Sequence, residues 1–222
     1  MSAPWHAPGP DLRDDAAWEV FHENSKRGAH DRLRTARGPV AGFDHGALPI
    51  LEPQPDPPPA ASASGGPRRL GHEPLLRLLA LAAKPLGSDD PTIVFVHLAA
   101  VTGLPVALAA YDPATPCLRL LAEGITADRV AAATASPDAL RGAAAAIFLA
   151  ADLEAATERA GERGYRDALI ATGRHLAAFE AVATLPLSVR PVALLDREAD
   201  ALLFLDGLSR SVLAALAVDA AG

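Results

Sequence analysis

An α+β fold is predicted for this chain of 222 residues on three observations. The segments read in the order helix, strand, hairpin, helix, strand, helix, long helix, strand, short helix, strand. That is neither strict βαβ alternation nor all-β, and it fits a mixed central sheet packed by helices. A long helical run over about 163–184 supplies one core helix, and two strands after it close the fold. Hydrophobic residues make up 50% of the chain, enough to build a domain of good size.

Residues 1–36 read as a tail with a short helix. Asp14 or Asp15 caps it, and it runs through Ala17, Trp18, Val20 and Phe21. His22 and Glu23 follow without HExxH spacing, so a surface or interface helix is expected there and no metal site. Residues 37–67 hold Gly38-Pro39, Leu48-Pro49 and five prolines between 53 and 59. This stretch reads as an extended, unpaired connector. The main domain is then 68–222.

Within that domain Leu75, Leu78, Leu79 and Ala82 fall on one face of a helix over 72–84, with Pro74 in its first turn. The continuous apolar run 92–100 predicts a central strand. Strands over 106–111 and 117–122 flank the turn signal Asp112-Pro113-Ala114-Thr115-Pro116. Thr126 opens a helix to about 135, 143–150 is a buried strand, and 151–159 a helix. In the long helix Tyr165, Ala168, Leu169, Leu176, Phe179, Val182 and Ala183 mark the buried face, and Pro186 ends it. His175 is offset from that stripe and reads as exposed or at an interface. A strand over 191–195, a small helix over 196–205, the turn Asp206-Gly207 and a strand over 211–218 complete the chain.

Composition excludes several function classes. The net charge is −7, which leaves no basic footprint for nucleic acid. The longest apolar stretch, 143–151, is too short to cross a bilayer, and residues 1–10 lack the pattern of a signal peptide. A soluble, cytoplasmic protein is expected. The single cysteine, Cys117, rules out an intrachain disulfide and reads as a small buried residue. No G-x-S-x-G, GxGxxG or P-loop is present.

Four stretches in register carry a resemblance. They are FHENSK at 21–26, the hairpin 104–124 with Tyr111-Asp112-Pro113 and Leu118, GERGYRDAL at 161–169 followed by Thr172-Gly173-Arg174-His175, and 196–218 with Leu205-Asp206-Gly207. Together they resemble the SagB-type dehydrogenases, nitroreductase-fold flavoenzymes that oxidise azolines to azoles in ribosomal peptide natural products. The resemblance implies a nitroreductase-like fold, a dimer with flavin sites at the subunit interface, and FMN chemistry.

The flavin-handling positions depart from that family. Arg68-Arg69 stands where the family has an RRSxR-like phosphate grip, without the serine or the third arginine. Pro85-Leu86-Gly87-Ser88-Asp89-Asp90 stands in place of a PSAG-like loop and puts two carboxylates near an expected anion. Arg159 and Ala160 stand where the family has a proton-handling Lys-Tyr pair. Arginine stays protonated and alanine has no proton to give. Leu185-Pro186-Leu187-Ser188 replaces glycines after the long helix. Arg163, Tyr165 and Arg166 read as a helix-start ion network beside Glu158 and Glu162.

Three expectations follow. The chain is a degenerate partner or substrate-binding subunit without a cofactor of its own. Alternatively it is a divergent FMN oxidoreductase that grips the phosphate with Arg68, Arg69 and Arg163, or it is a pathway scaffold or peptide-binding protein. No catalytic residue is assigned. The expected partners are a second copy, an active SagB-like paralogue, or a precursor peptide.

Overall fold

The computed structural model of the chain describes residues 43–54, 69–87, 89–182 and 187–220. Six strands make one sheet: β2 (Thr92–Leu98), β4 (Ala107–Asp112), β5 (Cys117–Glu123), β6 (Ala145–Asp152), β7 (Leu187–Val192) and β8 (Arg210–Ala220), in the order β5-β4-β2-β6-β8-β7. Every pairing in it is antiparallel. The central sheet is therefore antiparallel throughout, where element order suggested a mixed one. The one parallel pairing lies outside it, between the short strands β1 (Leu70–Gly71) and β3 (Val101–Thr102).

Helices cover both faces. β2 shows why, because alternate residues point to opposite sides and both sides are apolar. Val94, Val96 and Leu98 join a core beneath α1 (His72–Ala82) and the long helix, which also receives Leu75, Leu78, Leu79 and Phe179. Ile93 and Phe95 join a second core on the other face, with Val130, Leu140, Ala199 and Leu202. Those come from α2 (Ala127–Ala131), α3 (Pro137–Arg141) and α6 (Asp196–Leu202). His97 is buried and donates from Nε2 to the Ile125 carbonyl at 2.8 Å; burial holds its pKa below the usual histidine value.

α1 buries the four residues its spacing selects. The helix expected over 126–135 stops at Ala131 instead. Ala133 and Ala135 are drawn into bonds with 193–195, Leu195 N to Ala133 O at 3.0 Å and Ala135 N to Ala193 O at 2.9 Å. Pro137 then opens a separate helix, and Ser136 before it is held out of the helical region. β7 begins at Leu187, before the predicted start; Pro191 is tolerated because β7 is an edge strand.

The opposite edge is also managed. Leu51 N bonds Leu118 O, and Leu120 N bonds Pro49 O, each at 2.8 Å. Residues 49–51 thus form a strap along β5, so the expectation of an unpaired connector over 37–67 does not hold for 43–54. The rest of that stretch, the N-terminal helix and the helix stop at 183–186 lie outside the described residues.

α4 (Leu153–Ala160) and the long helix α5 (Arg163–Val182) meet at a tight corner. A Cβ on Gly164 would lie 2.1 Å from the Ala156 carbonyl oxygen, so only glycine permits this crossing. Gly161 between the helices has φ 62 and ψ −150, a conformation kept essentially for glycine.

Candidate functional site

Two clefts lie at opposite ends of β2, a strand of seven residues and so about 20 Å long. The first opens where the 86–91 loop meets α5. It has a volume of about 360 Å³, with Asp89, Asp90, Asp167, Arg174 and Ile170 in its wall. Asp90 in that wall belongs to a buried pair with His175. His175 is 2% exposed, and its Nε2 lies 2.7 Å from Asp90 Oδ2. Its Nδ1 lies 3.0 Å from the Ala82 carbonyl oxygen at the end of α1.

A carbonyl only accepts, so Nδ1 must donate; an ionised carboxylate also only accepts, so Nε2 donates as well. Both ring nitrogens are then protonated, and His175 is an imidazolium paired with Asp90. Burial alone would lower the His175 pKa, but the Asp90 and Ala82 hydrogen bonds and the Asp90 charge outweigh it and raise the value. Asp90 is held far below the usual carboxylate range. Burial pushes it up, but His175 and the Leu86 and Thr92 amides push it down further. Leu86 N donates to Oδ2 at 2.8 Å and Thr92 N to Oδ1 at 3.0 Å, so one carboxylate shapes the whole loop.

His175 is therefore neither exposed nor at an interface. The buried face of α5 runs through Gly164, Ala168, Thr172, His175 and Phe179. Leu169 and Ile170, apolar in sequence, are exposed.

Two arginines at this end are already engaged, and Arg174 is exposed in the cleft wall. Arg159 Nη1 lies 3.0 Å from Asp89 Oδ1, and its Nε donates to the Ala155 carbonyl. Arg163 pairs with Asp167, one helical turn on, at 3.4 Å. Glu158 and Glu162, the partners expected from sequence, are exposed. Ala160 is half-buried and supplies no titratable group. Among the described residues no group of three or more His, Cys, Asp or Glu could hold a metal ion. No helix among them is long and apolar enough to cross a membrane.

The second cleft lies beyond the other end of β2. It holds about 290 Å³ between Arg69, Gln54, Ala100, Gly103 and Val106. Arg69 is exposed and leads into β1, whose Leu70 amide bonds the Ala100 carbonyl at 2.9 Å. Arg68 lies outside the described residues. Arg69 and Arg163, grouped by sequence as possible phosphate ligands, are thus a strand length apart, and the described residues assemble no converging arginine grip. A volume near 290 Å³ is also at the low edge of the about 300–1,000 Å³ of small-molecule pockets.

A further cluster holds the frame. Asp112 accepts from the Ala114 and Thr115 amides, Thr115 Oγ1 and Arg119 Nε, which drives its pKa down to about 2 against the effect of burial. Arg119 passes this anchorage on, donating from Nη1 to the Leu48 carbonyl at 3.1 Å. Cys117 is half-buried beside Thr115, less enclosed than expected.

No family model matches the chain, and no curated protein matches it in sequence. Solved structures do. A protein described as a nitroreductase from Anabaena variabilis superposes with TM-score 0.68 at 18% identity, over 97% of this chain and 49% of that one. This chain therefore spans about half the length of that protein. The E. coli microcin synthetase McbBCD complex, with truncated pro-MccB17 bound, matches with TM-score 0.61 at 19% identity, over 97% of this chain and 84% of that one. A protein described as a nitroreductase from Ralstonia eutropha matches with TM-score 0.55 at 16% identity, over 86% and 99%. The chain has a nitroreductase-like fold.

Proposed function

We propose that this chain is a nitroreductase-fold subunit that performs no flavin chemistry of its own. In this reading it serves as a partner or substrate-binding subunit of a flavin-dependent dehydrogenase in azole-forming ribosomal peptide biosynthesis. The observation that carries the reading is at the α4–α5 corner. There Arg159 meets Asp89 and Arg163 meets Asp167, carboxylates of the same chain, with His175 on Asp90 beneath them, while Arg174 stands exposed in the cleft wall. An anionic cofactor would have to displace those carboxylates and bury its charge among them. Proton handling is also unsupported at Arg159 and Ala160, since guanidinium does not give up its proton and a methyl group has none to give. The framework meanwhile is intact, because folding rests on the two apolar cores and not on a phosphate grip. The likeness to a multi-subunit synthetase with a peptide bound supports a peptide-handling assembly.

The test is spectroscopic. The chain, purified alone, should be colourless, and it should stay so after incubation with excess FMN and gel filtration. Mixed with a flavin-bearing nitroreductase-fold subunit of the same pathway, it should co-elute and raise that subunit's turnover of an azoline peptide. Stoichiometric flavin absorbance in the chain alone would overturn the reading.

One observation favours a second reading, a divergent FMN oxidoreductase. Arg69 is exposed at a cleft lined otherwise by uncharged residues. If that cleft takes the phosphate, Arg69→Ala should weaken FMN binding about tenfold or more, in line with loss of a charge-assisted pair.

A further inference from the structure

The loop that follows α1 is fixed at both ends and barely held between them. Ala82 and Ala83 before it are buried, and at its far end Asp152 N bonds the Pro91 carbonyl at 2.9 Å as β2 begins. Between these points Leu86, Gly87 and Asp89 are exposed, and no apolar side chain of the loop is buried among the described residues. What ties it to the helices is polar: Asp90 on His175 of α5 and Asp89 on Arg159 of α4. In the second pair the Asp89 side chain is 80% exposed, so that pair contributes little. The hold rests on one buried pair.

That pair needs its proton. With both ring nitrogens protonated, His175 donates to Asp90 and to the Ala82 carbonyl together. A neutral imidazole has one N–H. If Nδ1 keeps it for Ala82, the Nε2 lone pair faces the Asp90 carboxylate; if Nε2 keeps it, the Nδ1 lone pair faces the carbonyl. Either way two acceptors meet in a buried place, where an unmet pairing is costly. Packing decides which side gives way. His175 lies on the buried face of α5 with Ala168 and Phe179, while the loop has no such anchor.

The charged groups around the pair are Asp89 and Asp90 from the loop, Lys84 exposed between α1 and the loop, Arg159 from α4, and Asp167 and Arg174 from α5. α1 and β2 present only the Ala82 carbonyl and the Thr92 amide. Of these side chains and His175 itself, only the imidazole ordinarily titrates near neutrality. Leu86, Gly87 and Asp90 stand in one wall of the 360 Å³ cleft, and Ile170 and Arg174 of α5 in the other.

We propose that this loop is a base-released latch. Protonated His175 clamps Asp90 and keeps the cleft narrow; loss of that proton frees the loop, widens the cleft and leaves the Nε2 lone pair open to a ligand that donates a hydrogen bond. The latch works the same way whether or not the chain handles flavin.

Two spin labels read the width of the cleft directly. Gly87→Cys and Ile170→Cys, in a chain with Cys117→Ser, place them on opposite walls. A Cβ on Gly87 meets nothing within 4 Å and Ile170 is 52% exposed, so neither change disturbs the fold. The spin–spin broadening seen at about pH 6 should fall by about half or more at about pH 9 and return on reacidification. Far-UV circular dichroism should be the same at both values. In Asp90→Asn the carboxamide donates to a neutral imidazole or accepts from a charged one, so the two pH values should give one and the same broadening. Broadening that does not change with pH in the labelled parent would overturn the proposal. So would an equal loss in Asp90→Asn, which would put the titrating hold elsewhere, and a loss accompanied by a change in circular dichroism, which would make it unfolding of the whole chain.

Discussion

The two clefts at the ends of β2 share one strand and differ in how their charges are settled. At the Asp90 end, carboxylate and cation come from the same chain and meet as Arg159–Asp89, Arg163–Asp167 and His175–Asp90. At the Arg69 end an exposed arginine shares its cleft with uncharged residues. The first arrangement contributes to holding the fold together, with Arg174 left exposed in the cleft wall; the second sets Arg69 among uncharged residues. The difference teaches that a charged residue's role follows from whether its counter-charge is built in, more than from its place in a motif.

The largest expected effect would break the first cleft. His175→Ala or Asp90→Ala leaves an uncompensated charge under the 86–91 loop and should cost about 3–5 kcal/mol in urea unfolding. The double variant should cost clearly less than the sum, which measures the coupling directly. If each single change costs under about 1 kcal/mol, the pair does not hold the loop.

The same pair gives the stability a pH profile. The His175 pKa is raised, so its contribution is whole below the ordinary histidine value of about 6.5 and is lost as pH climbs through the raised value. The Asp90 pKa is depressed, so its contribution is whole above the ordinary carboxylate value of about 3.9 and fades as pH falls towards the depressed value. The stability difference between the parent chain and His175→Ala should therefore be flat from about pH 4 to 6.5 and shrink at higher pH. A difference that grows with pH would reverse the assignment of an imidazolium.

A smaller effect of opposite sign is expected one helical turn away. Thr172 is buried in the face that carries His175, and its hydroxyl has no hydrogen-bond partner. Thr172→Val removes that unmet donor at nearly constant volume and should stabilise by about 1 kcal/mol, read as a rise in Tm. Arg159→Ala, at a more exposed pair, should cost less than about 1 kcal/mol. Least of all, Arg69→Ala should leave stability within about 0.5 kcal/mol of the parent. If it destabilises more, Arg69 has a structural role and the contrast between the clefts narrows.

Much of the frame was legible because apolar spacing decides it. The four buried leucine and alanine positions of α1, the run in β2 and the β4–β5 hairpin follow from period and turn chemistry. The face of α5 was legible only in part, for a physical reason. α5 approaches α4 so closely that Gly164, Ala168 and Thr172 line the contact, and small residues give no hydrophobic signal. Of the predicted stripe Ala168 and Phe179 are buried and Leu176 and Val182 pack against the core, while Leu169 is exposed. His175, a polar residue offset from that apolar stripe, fell outside it. Asp90 was read as a repulsive charge because its partner lies 85 residues away in sequence, beyond any local pattern. The break after Ala131 likewise depends on 193–195, which no helix propensity over 126–135 encodes.

The strap at 49–51 has a consequence for how the molecule behaves in a crowd. It occupies the outer margin of β5, where strangers could otherwise add strand upon strand, and it is pinned there through Leu48, Arg119 and Asp112. Severing that pin, as with Asp112→Ala, would turn a closed border into a sticky one, and turbidity rather than a lower melting point would be the first sign.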